Sequence, residues 1–169
     1  TAVVDSRISS TDKDKERLVE FIKSVENSKQ FKGGGWANNT QRWMPYLDRG
    51  VPAIGYGHRI LKGEDLDKGI TDEQATQYVR QDVNKALKNV YKELTSVYKF
   101  KGKLTPEQEL MLGDFMYNLG TLKKFPKFTK AVIEQDWGTA KLNYERTAGG
   151  KPIKGRNVKY FNTFLKDKK

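Results

Sequence analysis

Apolar residues recur at intervals of three and four near the start of the chain and again in its second half, which is the period of an amphipathic helix. In the first stretch they form one helix face: Leu18, Phe21, Ile22 and Val25. A threonine and two aspartates precede this face, as expected for a helix N-terminus. We therefore predict a helix from about Asp12 to Glu26.

The helical period is lost between Asn27 and Asp67. Glycine, proline and asparagine interrupt short runs of tryptophan, tyrosine, valine and isoleucine there. This composition is typical of turns and short strands. The pattern predicts a small strand-and-loop lobe over residues 27–67.

Two strong helix starts mark the second half. The letters TDEQ at residues 71–74 form a capping box, and they precede a long helix predicted over residues 71–94. The letters TPEQ at residues 105–108 combine a cap with proline at the first helical position, and this helix should end at Gly120. Shorter helices are predicted over residues 127–135, 137–146 and 157–165, with TAGGKPIKG as a loop between the last two.

These elements together predict an α+β fold with two lobes in one domain spanning residues 1–169. The small lobe is residues 27–67, and the mainly helical lobe is residues 12–26 and 95–165. A connecting helix covers residues 71–94. A cleft between two such lobes is a natural place for a ligand.

The amino-acid composition limits the kinds of site and of binding partner that the protein can have. The chain has no cysteine and one histidine, which excludes disulfides and thiolate metal sites and argues against a zinc centre or a Ser-His-Asp triad. The net charge of +11 favours an anionic polymer or surface. Lysine and arginine are scattered without a nucleic-acid reading motif, so nucleic acid is not the expected partner. No apolar run approaches the roughly 18 residues of a membrane span, and no signal peptide is seen.

Two acidic residues suggest chemistry. Glu26 lies at the predicted C-terminal end of the first helix, where the helix dipole should raise the pKa of its carboxyl and suit it to be a general acid. Asp48 lies in a turn, where it should be solvated and ionised. Two carboxylates in different protonation states are the equipment of glycoside hydrolysis. The alternative is that Glu26 is a surface residue and Asp48 a turn former.

The order of the motifs supports the first interpretation. A helix ending in glutamate is followed by YLDRG, PAIGYGH, ITDEQATQYVRQDV and LTPEQELMLGDFMYNLG. This order resembles the phage-type lysozymes, the endolysin and tail-lysozyme muramidases of bacteriophages, over about residues 15–165. The resemblance implies a two-lobed lysozyme-like fold and cleavage of the β-1,4 bond between N-acetylmuramic acid and N-acetylglucosamine in peptidoglycan, for lysis of the host cell. It implies a location in the host cytoplasm before release to the wall, or in the virion tail.

The resemblance also implies residue roles. Glu26 matches the general acid, and Asp48 matches the aspartate that handles the nucleophilic water. Arg156 matches a basic residue that pairs with the catalytic glutamate from the far lobe. Ala53 departs from the family, which usually carries a hydroxyl residue there that helps to hold the water. No cofactor is implied, and a monomer is expected.

Supporting residues are expected around the GYGH segment. Gly50, Gly55 and Gly57 should let a hairpin turn tightly and approach the saccharide path. His58 is interpreted as a structural hydrogen-bonding residue rather than a base. Three aromatic side chains are favoured as core residues over sugar-stacking ones: Trp36, Trp43 and Tyr46.

Other interpretations stay open at this stage. The stretch between Glu26 and Asp48 is longer than the family spacing. It is predicted to be a surface insertion with residues 33–35 at its tip, or alternatively a flexible flap over the cleft. A lytic transglycosylase and a non-catalytic peptidoglycan-binding relative are the alternatives to a hydrolase. The letters DLDKG at residues 65–69 lack the spacing of a calcium loop and are rejected as one.

Overall fold

The computed structural model describes residues 6–169, which fall into two compact units. We call residues 16–83 the strand-bearing unit, and residues 6–15 with 84–169 the helical unit. The long second helix contributes to both, because its residues up to Val83 belong to the first unit and those from Asn84 to the second. The lobe boundaries predicted from the sequence stay a prediction.

The described residues give a mixed α+β fold, as predicted. The helices are α1 (Asp12–Glu26), α2 (Asp72–Ser96), α3 (Pro106–Leu119), α4 (Pro126–Glu134), α5 (Trp137–Asn143) and α6 (Lys154–Tyr160), which continues into a π-helical segment (Phe161–Leu165). The strands are β1 (Trp36–Ala37), β2 (Arg42–Trp43), β3 (Tyr46–Asp48), β4 (Val51–Ile54), β5 (His58–Arg59), β6 (Thr147–Ala148) and β7 (Lys151–Pro152). None of the helices within residues 6–169 is long and apolar enough to cross a lipid bilayer.

The strand-bearing unit is built around α1 and a three-stranded antiparallel sheet in the order β3-β4-β5. Leu18 and Ile22 of α1 and Ile54 of β4 are fully buried. Trp43 is buried as well, and its indole N–H donates to the carboxylate of Asp72 at 3.0 Å. The Asp72 carboxylate at the start of α2 therefore provides the hydrogen-bond acceptor for the buried Trp43 N–H inside the strand-bearing unit.

The helical unit has an aromatic core. The ring of Phe115 in α3 stacks on Phe128 of α4 at a centroid distance of 4.5 Å and meets Tyr160 of α6 edge-on at 5.3 Å. The hydroxyl of Tyr160 donates to the carbonyl of Met111 at 2.9 Å, so the one polar atom of this buried ring is satisfied. These contacts fix α3, α4 and α6 around one centre.

The predicted helix starts are confirmed at three capping boxes. Thr11 and Asp14 form one before α1, with the Asp14 N–H donating to the threonine hydroxyl. The boxes before α2 and α3 form as the sequence predicts, and α3 ends at Gly120 with a left-handed φ of 77°. Such a box satisfies two N–H groups that have no partner within the helix.

Two predictions for the C-terminal region were wrong in their bounds. The predicted helix over residues 137–146 ends at Asn143, because the backbone N–H of Arg146 donates to the Asn157 side chain instead of a helical carbonyl. The predicted loop contains the hairpin β6–β7, whose two central glycines have φ of 60° and 80°. Positive φ at both positions is the requirement of a two-residue hairpin turn. The last helix then begins at Lys154, three residues earlier than predicted.

Candidate active site

Glu26 is the last residue of α1 and is half-buried. Its Oε2 atom lies 3.5 Å from the position that a Cβ would occupy on Gly57, so the carboxylate contacts the GYGH turn. It also lines a cavity of about 310 Å³ together with the last turn of α1 and the ring of Phe31. The candidate acid is therefore both packed against backbone and open to a cavity.

Asp48 ends β3 and is exposed. The hairpin between β3 and β4 turns through Arg49 and Gly50, whose φ values are 53° and 80°. A turn with positive φ at both positions matches the twist of the flanking strands. Asp48 is thus held on a tight hairpin with its carboxylate accessible to solvent.

The register of the sheet places several candidate residues on one face. Tyr46 pairs with Ala53, Asp48 pairs with Val51, and Ala53 pairs with Arg59 on the next strand. Directly paired residues of antiparallel strands project to the same face, as do residues two apart. Asp48 and Ala53 therefore share a face with Tyr46 between them.

The hydroxyl of Tyr46 has a pKa that depends on the charges around it. This hydroxyl donates to the carbonyl of Gly55 at 3.2 Å. The pKa of Tyr46 is raised to about 12, chiefly by burial and then by the nearby negative charges of Asp48 and Glu26. Both candidate carboxylates are therefore close enough to act on one phenol.

Asn27, which the sequence analysis did not single out, ties this region together. Its amide nitrogen donates to the carbonyl of Gly34 at 2.8 Å and to that of Gly55 at 2.8 Å. Gly55 thus accepts from both Asn27 and Tyr46. The only signal in the sequence is its position directly after Glu26, in a helix C-cap where asparagine is common.

Gly50, Gly55 and Gly57 have φ values of 80°, 65° and 90°, as the predicted tight turns require. Gly55 also has no room for a side chain, because a Cβ would lie 2.9 Å from the Cβ of Ala75 in α2. Gly55 is thus closely packed inside the unit, and the predicted approach of this hairpin to a saccharide stays a prediction. Gly57 contacts the Glu26 carboxylate, and a Cβ on Gly50 would meet open space.

The three glycines at the predicted tip of the insertion, residues 33–35, differ in how closely they are packed. A Cβ on Gly34 would lie 2.3 Å from the Asn27 side chain, and one on Gly35 would lie 2.3 Å from the carbonyl of Met44. The Met44 N–H donates to the Gly35 carbonyl at 2.7 Å. Two of the three glycines are therefore packed against neighbours, and only Gly33 faces open space.

His58 is buried between two carboxylates. Its Nδ1 lies 2.9 Å from Asp82 and its Nε2 lies 3.2 Å from Glu64, while its ring stacks on Tyr78 at 4.0 Å. Burial lowers the pKa of His58, but Asp82 and Glu64 outweigh this effect and leave the pKa above its ordinary value. Tyr78 and Asp82 lie four residues apart on one face of α2, a spacing visible in the sequence. These contacts favour the structural role predicted for His58.

Ala53 is only 1% exposed. The family resemblance implies that a hydroxyl residue usually occupies this position and helps to hold the water. In a solvated cleft a larger side chain would cost little, but the burial of Ala53 means that an added group must fit between packed neighbours. Ala53 itself supplies no hydroxyl group that could hold the water.

The tryptophans divide between core and surface. Trp43 is a core residue, as predicted. Trp36 is half-buried, contacts Trp43 edge-on at 5.1 Å, and carries the Lys29 ammonium 4.3 Å from its ring centre. Tyr46 is likewise half-buried, so neither Trp36 nor Tyr46 is a fully enclosed core residue.

Arg156 lies in α6 of the helical unit and is 7% exposed. Its guanidinium donates to Asp114 at 2.8 Å, and Arg146 donates to the other oxygen of the same carboxylate at 2.6 Å. The predicted pairing of Arg156 with Glu26 stays a prediction. Among residues 6–169 no group of three or more histidine, aspartate or glutamate side chains is arranged to hold a metal ion.

Comparison with protein-family models gives a match to the model described as phage lysozyme, over residues 38–157. The chain belongs to the phage lysozyme family. Membership indicates a glycoside-hydrolase type of enzyme that degrades peptidoglycan. No curated protein sequence matches the chain.

The match to the phage lysozyme family includes Asp48, Ala53, His58 and Arg156. It begins after Glu26, so the assignment of the acid rests on the geometry around the GYGH turn. The segment that follows Glu26, residues 27–37, also lies outside the matched part of this family member.

Proposed function

We propose that this phage lysozyme family member is a muramidase that hydrolyses the β-1,4 bond between N-acetylmuramic acid and N-acetylglucosamine, in the service of host cell lysis by a bacteriophage. The observation that carries the proposal is the placement of both carboxylates around Tyr46: Asp48 lies two residues along the same strand face, and Glu26 lies beside the GYGH turn to which the Tyr46 hydroxyl is bonded. Two carboxylates beside one aromatic residue, in a family of peptidoglycan-degrading enzymes, support glycoside hydrolysis.

In this mechanism Glu26 donates its proton to the glycosidic oxygen as the bond breaks. Glu26 is the last residue of α1, is half-buried and lines the cavity of about 310 Å³, so a substrate bound there lies next to its carboxyl group. Its Oε2 atom lies beside Gly57, 3.5 Å from the position that a Cβ would occupy there. Glu26 is thus suited to act as the general acid.

Asp48 assists the attacking water. It is exposed on its hairpin, so water reaches its carboxylate directly. Attack from the face opposite the acid inverts the anomeric carbon when the carboxyl groups stand about 6.5–9.5 Å apart, whereas a gap of about 5–5.5 Å leads to retention. The anomer of the first product therefore tests the role of Asp48.

The direct test uses purified peptidoglycan and the variant Glu26→Gln. This variant keeps the shape of the side chain but cannot donate the proton, so we expect a rate loss of at least about a hundredfold with unchanged thermal unfolding. Mass spectrometry should show fragments that carry an added water. Near-normal digestion by the variant would remove Glu26 from the mechanism.

A second candidate is a lytic transglycosylase, and Ala53 is the observation that favours it. Without a hydroxyl at this position, the sugar's own hydroxyl could attack instead of water, which would give a 1,6-anhydro product and make Asp48 dispensable. Predominantly anhydro fragments, 18 daltons lighter than hydrolysis products, would establish this reaction. Under hydrolysis, Ala53→Thr should keep or raise the rate per folded molecule, at a stability cost of about 1–3 kcal/mol from overpacking.

The role in host lysis is tested separately, on permeabilised Gram-negative cells. Loss of turbidity with the unmodified protein, and none with Glu26→Gln, is the expected result. Purified peptidoglycan that is cleaved while such cells stay intact would confine the proposal to the enzyme activity.

A further inference from the structure

We infer that the segment after Glu26 forms a sugar-binding subsite, with Phe31 as the aromatic surface on which a ring of the peptidoglycan glycan strand stacks. The inference rests on the proposed function, because it takes Glu26 as the acid beside the scissile bond. Its ligand is one N-acetylated pyranose unit adjacent to that bond.

The cavity beside Glu26 has the size and lining for such a ligand. Its volume of about 310 Å³ lies at the small end of the roughly 300–1,000 Å³ of ligand pockets, which suits one sugar unit rather than an oligosaccharide. Glu26, Asn27 and Ser28 supply polar groups, and Phe31 supplies an apolar surface. A pyranose ring has the same division between an apolar C–H face and a polar hydroxyl edge.

Phe31 is exposed over 66% of its surface, so its ring is largely in contact with solvent. Burial in the core does not account for this residue. An aromatic face that stays in solvent beside a cavity is instead available to a ligand. Because Glu26 is another wall of the same cavity, a sugar on Phe31 lies next to the candidate acid.

The loop that carries Phe31 is held by backbone hydrogen bonds to residues before and after it in the chain. The Phe31 N–H donates to the Ser28 carbonyl at 3.2 Å, and the Gly34 N–H donates to the Phe31 carbonyl at 3.1 Å. The Asn27 amide then holds Gly34 and Gly55 together, at 2.8 Å each. The aromatic ring is thus attached to a loop that is bonded to the candidate active site, as a preorganised binding surface requires.

The geometry favours a sugar over an apolar partner. The cavity wall contains Glu26 and three polar residues, Ser24, Asn27 and Ser28, and an apolar helix or peptide that covered them would remove them from water without replacing those hydrogen bonds. A saccharide brings hydroxyl groups that form hydrogen bonds with such a wall. The matched substitutions are therefore Phe31→Tyr, which keeps the ring, and Phe31→Leu, which keeps apolar bulk without a flat face.

The experiment measures binding of peptide-free glycan strands of alternating N-acetylglucosamine and N-acetylmuramic acid by calorimetry. The background is Glu26→Gln, so that the strands are not cleaved. Phe31→Ala and Phe31→Leu should each weaken binding about 3- to 10-fold, the range of an aromatic contact, and Phe31→Tyr should bind like the background protein. Leu142→Ala is the control, because Leu142 is 85% exposed and lies in the helical unit.

Unchanged binding by Phe31→Ala would overturn the inference, and so would full binding by Phe31→Leu, since apolar bulk alone would then suffice. Phe31-dependent self-association without a change in glycan binding would overturn it too and would assign the ring to a contact between copies. The proposed function is judged by a different result, namely cleavage of peptidoglycan by the unmodified protein. An active enzyme with Phe31-independent binding loses only the subsite, whereas an inactive protein with Phe31-dependent binding loses only the proposed reaction.

Discussion

The two units of the molecule can be compared through one aspartate in each, Asp114 and Asp48, because the first is buried and the second is exposed. In the helical unit the side chain of Asp114 is 0% exposed and is bound by Arg146 and Arg156. In the strand-bearing unit Asp48 is exposed on a hairpin turn. A buried carboxylate with two guanidinium partners has no capacity left for a substrate, whereas an exposed one contributes little to folding. The Asp114 cluster therefore contributes to stability, whereas Asp48 is available for the proposed chemistry.

Aromatic residues follow the same division. Phe115, Phe128 and Tyr160 of the helical unit are fully buried and contact one another. The strand-bearing unit buries Trp43 but leaves the ring of Phe31 66% exposed, close in sequence to Glu26. An exposed ring adds little to the stability of the fold, so Phe31 is available for the ligand contact inferred above.

The largest effect is expected for Asp114→Asn. The change leaves two buried guanidiniums without this carboxylate, and loss of one partner of a buried ion pair costs about 3–5 kcal/mol. Urea unfolding should show the loss in the free energy of unfolding, with the rate per folded molecule little changed. A loss below about 1 kcal/mol would mean that the cluster contributes no more than a surface pair.

The same chemical change at Asp48 should have the opposite result. Asp48→Asn removes the carboxylate that assists water, so we expect a rate loss approaching that of Glu26→Gln, at least about a hundredfold. The free energy of unfolding should stay within about 0.5 kcal/mol, as for other surface substitutions. Full activity of this variant would show that the Asp48 carboxylate is not needed for the reaction, and it would favour attack by the sugar's own hydroxyl.

The difference between the units also explains what the sequence could predict. The helices depend on local signals, and α1 was predicted at both ends because its cap, its apolar face and its final glutamate are adjacent in sequence. The capping boxes before α2 and α3 are equally local. The hairpin β6–β7 was missed although its Gly-Gly centre is a known turn signal, because neither flanking strand is apolar.

The candidate site was predicted in its types of residue but not in its connections. Glu26 and Asp48 were found from their element ends and from the family resemblance. The bond from Asn27 to Gly55 spans 28 residues, and no local pattern encodes it. The packing of Gly55 against Ala75 and the burial of Ala53 likewise depend on tertiary contacts. Sequence periodicity therefore locates elements well and leaves the contacts between loops undetermined.

A smaller effect concerns His58 and pH. Because the folded pKa of His58 is raised, its pairing with Asp82 and Glu64 stabilises the fold fully below the unfolded value of about 6.5 and is lost as the pH rises through the folded pKa. The pKa of Glu64 is lowered, chiefly by the Leu61 N–H, so its share is lost as the pH falls through the folded pKa of Glu64.

Unfolding measured between pH 5.5 and 8.5 should therefore show stability falling as the pH rises. Asp82→Asn should cost about 1–3 kcal/mol at the acidic end, where the ring is charged, and should flatten the slope. Glu73→Gln is the control, since Glu73 is an exposed acid on the same helix. An unchanged slope in Asp82→Asn would show that the ring does not titrate against this carboxylate.

The smallest predicted effect is that of salt, which screens exposed charges more than buried ones. The net charge of +11 should draw the protein to an anionic cell envelope, and salt shortens the reach of exposed charges from about 30 Å at 0.01 M to about 8 Å at 0.15 M. Lysis of permeabilised cells should then slow by a few-fold over this range, while hydrolysis of small soluble glycan fragments should slow less. The free energy of unfolding should hardly change, because the Asp114 cluster is closed to salt. Equal salt sensitivity of the two substrates would remove the exposed charge from the encounter, and a parallel loss of stability would show that the folded state itself depends on screened charges.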